Sequence, residues 1–86
     1  MQFEFSPRFK KQFARAPKKV RTQTGERLAA MLEDEFHPLL NNHKLHGMYS
    51  GFRSINITGD WRIVYKKTDD EIFYLYAIGT HSELYS

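Results

Sequence analysis

Apolar and polar positions alternate with period two in four short stretches of this chain, and they follow helical spacing in the segment between the first and the second. Gln2-Phe-Glu-Phe5 alternates and predicts a short first strand. Ser6-Pro7 then predicts a helix start, with serine as N-cap and proline at the first helical position. Phe9 and Phe13, four residues apart, fall on one face of that helix. Pro17 breaks or restarts it. From Pro17 to about Glu35 the apolar residues Val20, Leu28, Met31, Leu32 and then Phe36 keep helical spacing, with Thr24 the one polar member, and the stripe is expected to be core.

The segment from His37 to His43 does not continue the helix, because the residue before Pro38 is pushed out of the α region; it is expected to be a connecting loop. Gly47 and Gly51 punctuate the way into a strand at Phe52–Thr58. Thr58-Gly-Asp60 turns the chain into a strand at Trp61–Lys67, and Thr68-Asp-Asp70 turns it again into Ile72–Ile78. The tail Thr80–Ser86 is one turn of helix or coil. Strict alternation puts Ile55, Ile57, Trp61, Ile63, Tyr65, Ile72, Tyr74, Tyr76 and Ile78 on a face toward the helices. Asn56, Arg62, Val64, Lys66, Phe73, Leu75 and Ala77 then form the opposite, mixed face. The expected fold is a single α+β domain, residues 1–86, of order β-α-α-β-β-β: an antiparallel sheet with a two-helix hairpin packed on one face.

With 86 residues the chain fits one domain with a modest core, and 41% hydrophobic against 27% charged residues is globular composition. It has no cysteine, which excludes disulfides, thiol catalysis and thiolate metal sites, and fits a reducing cytosol. Met1-Gln-Phe-Glu-Phe5 lacks the basic and apolar regions of a secretion signal, and no run approaches a membrane span, so a soluble cytoplasmic domain is expected. The net charge of +3 conceals an asymmetry. Arg8, Lys10, Lys11, Arg15, Lys18, Lys19 and Arg21 follow one another with no acid among them. That is either the footprint of a polyanion binder or a solvated helix face. An aromatic content of 15% tilts the balance toward RNA, whose bases stack on rings.

The residues able to carry chemistry are His43, His46, His81, Asp60, Arg62, Lys66 and Tyr85. His37, before a proline, is expected at the surface. His43 and His46 have the spacing of a metal pair, yet no third ligand lies nearby in sequence, and no metal or cofactor is expected. Read blandly, a lone histidine is structural, Gly59-Asp60 is a hairpin turn, and Tyr85 is a terminal anchor.

The pattern His43-Lys-Leu-x-Gly47, Gly51-Phe-Arg53, Asp60-Trp61, Ile63-Val-Tyr-Lys66 and Gly79-Thr-His-Ser-Glu-Leu-Tyr85 resembles bacterial toxins of the RelE/ParE superfamily, especially its YafQ branch. The detailed match covers the C-terminal half; the first half agrees in its layout of one strand and two basic helices. The resemblance implies a toxin of a type II toxin–antitoxin system, an endoribonuclease that enters the A site of the 70S ribosome and cuts messenger RNA there. It also implies a cognate antitoxin, in a heterotetramer or larger complex, and a bacterial cytoplasmic setting. By position, His43, Asp60 and His81 match residues implicated in cleavage, and Trp61 and Tyr85 match aromatic positions of that site. Arg62 matches an arginine that RelE places two residues before its Val-Tyr pair. Asn56 stands where the YafQ branch has histidine, and Ala77 where both branches have arginine.

Such chemistry suits these groups. Cleaving RNA without a metal needs a base for the 2′-hydroxyl, an acid for the leaving 5′-oxygen and positive charge on the phosphorane. His81 is expected as the acid, His43 as the base or a phosphate ligand, and Arg62 in electrostatic support. Asp60 either orients an imidazole or serves as the base, and Tyr85 orients a nucleotide. Lys10, Lys11, Arg15, Lys18, Lys19, Arg21, Trp61 and Lys66 are expected to contact RNA or the ribosome. The rival expectation is a non-catalytic or degenerate member that binds only its antitoxin, or DNA gyrase.

Overall fold

The computed structural model describes residues 1–69 and 71–85. Its elements run β1 (Gln2–Phe5), α1 (Pro7–Arg15), α2 (Lys18–Glu33), a 3₁₀ turn (Pro38–Leu40), β2 (His43–Lys44), a second 3₁₀ turn (Gly47–Tyr49), β3 (Arg53–Thr58), β4 (Trp61–Asp69), β5 (Ile72–Thr80) and α3 (His81–Tyr85). The strands form one sheet of order β1-β5-β4-β3-β2. The expected α+β plan holds, with two differences. β1 joins β5 in parallel, so the sheet is mixed rather than wholly antiparallel. A two-residue strand, β2, lies where a loop was expected to end. β4 continues through Asp69, and of the expected turn and tail, Asp70 and Ser86 lie outside the described residues.

Helix α1 begins as its sequence dictates. The Ser6 hydroxyl oxygen accepts from the Phe9 N–H at 2.9 Å while donating to the Tyr76 carbonyl at 2.6 Å. β1 covers β5 only as far as Leu75; beyond it, α1 takes over that edge, with Gln12 Oε1 accepting from the Ile78 N–H at 2.9 Å. The helix stops at Arg15, two residues before Pro17. In α2, the buried Thr24 hydroxyl donates to the Val20 carbonyl at 2.8 Å, so its place on the apolar stripe leaves no donor unpaired. Arg27 Nε reaches across to the Ile57 carbonyl at 2.9 Å and ties α2 to β3.

Both helices cover one face of the sheet, where Phe9, Ala16, Val20, Met31 and Leu40 pack on Ile55, Ile57, Ile63, Tyr65, Phe73, Leu75 and Ile78. Leu32 and Phe36, expected in this core, are about half exposed, at 48% and 57%. Leu32 follows the buried Met31 and is rotated about 100° from it around the helix. Phe36 lies beyond the end of α2 and takes the Arg53 guanidinium over its ring at 5.1 Å.

A second, smaller core lies on the opposite face: Tyr49, Val64, Ala77 and Leu84, flanked by Leu45, Phe52, Tyr76 and Tyr85. Here strict alternation fails. Val64 pairs with Ala77 but Tyr65 pairs with Leu75, so β5 carries an extra residue, Tyr76. This bulge reverses the phase of the strand. Phe73 and Leu75, expected on the mixed face, are buried under the helices, whereas Tyr76 joins the other core. Val64 and Ala77, also expected on the mixed face, are fully buried beneath α3.

One phenylalanine and one tyrosine truncation in β5 test this phase. Phe73→Ala is expected to cost about 3–5 kcal/mol in urea denaturation, against about 1 kcal/mol for Tyr74→Ala. The reverse order would restore the strict alternation.

Candidate active site

The second core exists because the chain folds back over β5 after Gly79. A Cβ at Gly79 would come within 3.2 Å of Glu83 Oε1 and 3.4 Å of Leu84 carbons, so a larger residue here would push against the side chains of α3. A capping box then starts α3. The Thr80 N–H donates to Glu83 Oε1 at 2.7 Å, and the Glu83 N–H donates to Thr80 Oγ1 at 3.2 Å. Thr80-x-x-Glu83 was present in the sequence as the signal for this helix. The His81 N–H donates to the Asp60 carbonyl at 2.9 Å, fastening the helix start to the β3–β4 turn. That turn depends on Gly59, whose φ of +51° lies in the left-handed region.

The result is a groove of about 340 Å³ walled by His43, Arg62, His81 and Tyr85, with Ser54 and Asn56 in its lining. Ser54 and Asn56 are two apart on β3, and Arg62 lies directly opposite Asn56 on β4. Here period two holds, and it turns these polar groups away from the helices. The Tyr85 hydroxyl donates to the fully buried Ser54 hydroxyl at 3.1 Å. One turn earlier, the His81 ring lies 4.8 Å from the Tyr85 ring, edge to face. Arg62 Nη1 donates to the carbonyls of Gly59 at 2.9 Å and Trp61 at 3.1 Å, which holds the guanidinium at the rim. His43 Nδ1 lies 2.9 Å from the Asn41 carbonyl. Asn56 Oδ1 is buried with no hydrogen-bond partner.

Four of the five expected catalytic residues therefore converge. Asp60 does not: its side chain is exposed and outside the groove lining, and its carbonyl makes the contact to His81. Trp61 lies on the helix side, packed against the main core and lining a separate depression with Gln12 and Arg15. Lys66 extends over the Phe52 ring at 5.1 Å, in a neighbouring depression that also takes Lys44 and His46. Leu45 borders both depressions, so His43 and His46 diverge rather than pair. Lys10, Lys11, Arg15, Lys18, Lys19 and Arg21 lie on α1 and α2, across the sheet from the groove. Lys10 and Arg21 border an apolar cleft between the two helices floored by Phe9, Phe13 and Leu28. Arg8 turns the other way, donating to the Tyr76 hydroxyl at 3.1 Å. Ser54 and Asn41 were not singled out from the sequence.

A mixed five-stranded sheet backed by two helices, with a short C-terminal helix on its other face, is the fold of the RelE-type toxins. The YoeB/ParE toxin from Agrobacterium tumefaciens superposes with a TM-score of 0.78 over 94% of this chain and 99% of that one, at 16% identity, a likeness of fold. YafQ from E. coli strain BL21(DE3) gives a TM-score of 0.78 at 25% identity, over 98% and 97% of the two chains. The E. coli DinJ–YafQ toxin–antitoxin complex gives 0.74 at 26% identity, over 98% and 96%. No curated protein matches the sequence. Residues 1–86 match the family described as the bacterial toxin of type II toxin–antitoxin system, YafQ. The chain belongs to that family.

The capping box is expected to govern the order of the groove. Glu83→Ala should cost about 1 kcal/mol of stability and speed amide exchange at His81–Tyr85 more than in β3 and β4. Equal exchange changes across the sheet would mean that α3 is held by Leu84 alone.

Proposed function

We propose that this toxin is a ribosome-dependent endoribonuclease that cuts messenger RNA in the A site by acid–base attack of the 2′-hydroxyl on the adjacent phosphate. The observation that supports it is the convergence of His43, Arg62, His81 and Tyr85 on one groove. His43 takes the 2′-hydroxyl proton as the 2′-oxygen bonds to phosphorus. The bond from phosphorus to the 5′-oxygen breaks, and His81 gives that oxygen its proton. The products are a 2′,3′-cyclic phosphate and a free 5′-hydroxyl. Arg62 faces the phosphorane charge, a role worth on the order of 3 kcal/mol for a single lost donor. Tyr85, held by Ser54, orients the nucleotide. Two imidazoles carry both proton transfers, so the step calls on no metal or cofactor.

The cations on α1 and α2, with Trp61 beside Arg15, suit contact with ribosomal RNA on the helix side, while messenger RNA enters the groove on the other. Lys66 extends the groove's positive edge. Action at the ribosome places the protein in the bacterial cytoplasm, and among the described residues no helix is long and apolar enough to cross a membrane. The DinJ–YafQ complex supports a cognate antitoxin as partner, and the heterotetrameric YoeB–YefM complex from Staphylococcus aureus, 22% identical, illustrates one assembly of this fold. An acidic antitoxin suits the basic helices. A second reading, of a degenerate toxin that only binds its antitoxin or gyrase, draws on Asn56, whose amide does not titrate.

Expressed in bacteria without antitoxin, the wild type is expected to arrest growth. His81→Ala and His43→Ala should each lower the cleavage rate about 10²–10⁴-fold and relieve the arrest, while still co-purifying with the antitoxin. Arrest by a fully toxic His81→Ala protein, or gyrase inhibition without RNA cleavage, would refute the assignment.

A further inference from the structure

The strand that carries His43 is only two residues long, too short to hold its own place at a sheet edge. Its register, His43 opposite Ser54 and Lys44 opposite Arg53, is extended by the Leu45 N–H donating to the Phe52 carbonyl at 3.0 Å. On the other side of His43 the chain is fixed by side chains. Arg53 Nε donates to Asn42 Oδ1 at 2.7 Å. Asn42 Nδ2 donates to the Tyr65 hydroxyl at 2.6 Å and to the Glu35 carbonyl at 3.0 Å. The Tyr65 hydroxyl donates to Glu35 Oε2 at 2.7 Å, and Glu35 Oε1 is paired with Lys67 Nζ at 2.9 Å.

Every donor in this series has a defined direction, from the Arg53 cation through Asn42 and Tyr65 to the Glu35 carboxylate. Burial raises the Tyr65 phenol well above its ordinary pKa, and the Glu35 carboxylate adds to the rise against the opposing bond from Asn42. The hydroxyl therefore stays protonated and remains the donor to Glu35. Leu40, fully buried, anchors the same segment from below. Between these anchors Asn41 adopts the left-handed conformation, φ 45° and ψ 48°, which aims its carbonyl at His43. A carbonyl oxygen only accepts, so the neutral ring makes this bond only with its proton on Nδ1.

We propose that Asn42, held by Arg53, Tyr65 and Glu35, is a positioning residue for His43: it holds the Asn41 carbonyl against Nδ1 and so keeps the lone pair of the neutral imidazole on Nε2. The role rests on the reading of His43 as the base that takes the 2′-hydroxyl proton. A base needs a free lone pair at a fixed place, and without this carbonyl the ring is free to take the other tautomer, whose Nε2 carries a proton. None of Asn42, Arg53, Tyr65 and Glu35 lines the groove, so the network acts on it through His43. It places Glu35, in the turn just beyond α2, in control of a residue that the sequence puts in a separate loop.

The test is the ring tautomer of His43, read from imidazole nitrogen shifts in the free protein, beside steady-state cleavage kinetics. The wild type is expected to hold the Nδ1–H form. Asn42→Ala and the near-isosteric Tyr65→Phe should both populate the Nε2–H form, and kcat should fall by up to about 10²-fold with KM within about twofold. If Asn42→Ala fails to fold, Tyr65→Phe decides. An unchanged tautomer in the folded variants, or a fall in kcat with the Nδ1–H form retained, overturns the proposal. A wild type that cleaves nothing refutes the nuclease reading instead, and the tautomer measurement still decides whether Asn42 orients the ring.

Discussion

β5 is hydrogen-bonded along both edges and packed on both faces, and this double burial ties the helix layer to the seat of α3. Its helix-facing residues Phe73, Leu75 and Ile78 close the main core, while Ala77 on the other side forms the floor on which Leu84 rests. One strand serves two cores only because the bulge at Tyr76 changes its phase midway. Without that extra residue, Ala77 would turn toward the helices and α3 would lose its seat. The groove therefore depends on the packing of a strand that contributes none of its walls.

The two faces of the sheet divide the work. On one face the helices provide hydrophobic burial and a strongly basic exterior. On the other, short segments with little burial of their own are held by specific bonds: α3 by its capping box and Leu84, β2 by the polar series that passes through Asn42. Small elements of this kind are stable only when side chains satisfy their free backbone groups. The groove thus combines positions fixed by strands, Ser54, Asn56 and Arg62, with positions fixed by local bonding, His43, His81 and Tyr85.

Much of this was legible in the residues. Ser6-Pro7 marks the start of α1, and Pro17 its end, because both act through the local backbone. Alternation along β3 and β4 puts Asn56 and Arg62 on one face and Ile55, Ile57 and Ile63 on the other. Where alternation misleads, the cause is non-local: a bulge leaves no mark in Tyr74-Leu-Tyr-Ala77, a run apolar or aromatic at every position. Leu32 and Phe36 look like core by spacing, but spacing does not reveal that Met31 takes the buried position next to Leu32 or that α2 ends at Glu33, before Phe36. The motif at Gly79–Tyr85 brings His81 and Tyr85 to the groove, whereas of Asp60 and Trp61, adjacent in the same pattern, the first is exposed outside it and the second packs against the main core. The bond from Asn42 to Tyr65 spans 23 residues and has no signature in local spacing.

In the proposed reaction the groove cleaves RNA with His81 as the proton donor to the leaving oxygen. The most direct measurement maps messenger RNA ends by primer extension on programmed 70S ribosomes, with wild-type protein and with His81→Ala. The wild type is expected to cut within the A-site codon, leaving a 2′,3′-cyclic phosphate and a 5′-hydroxyl, and the variant to leave the messenger intact. Intact messenger with the wild type, or the same cuts with His81→Ala, would contradict it.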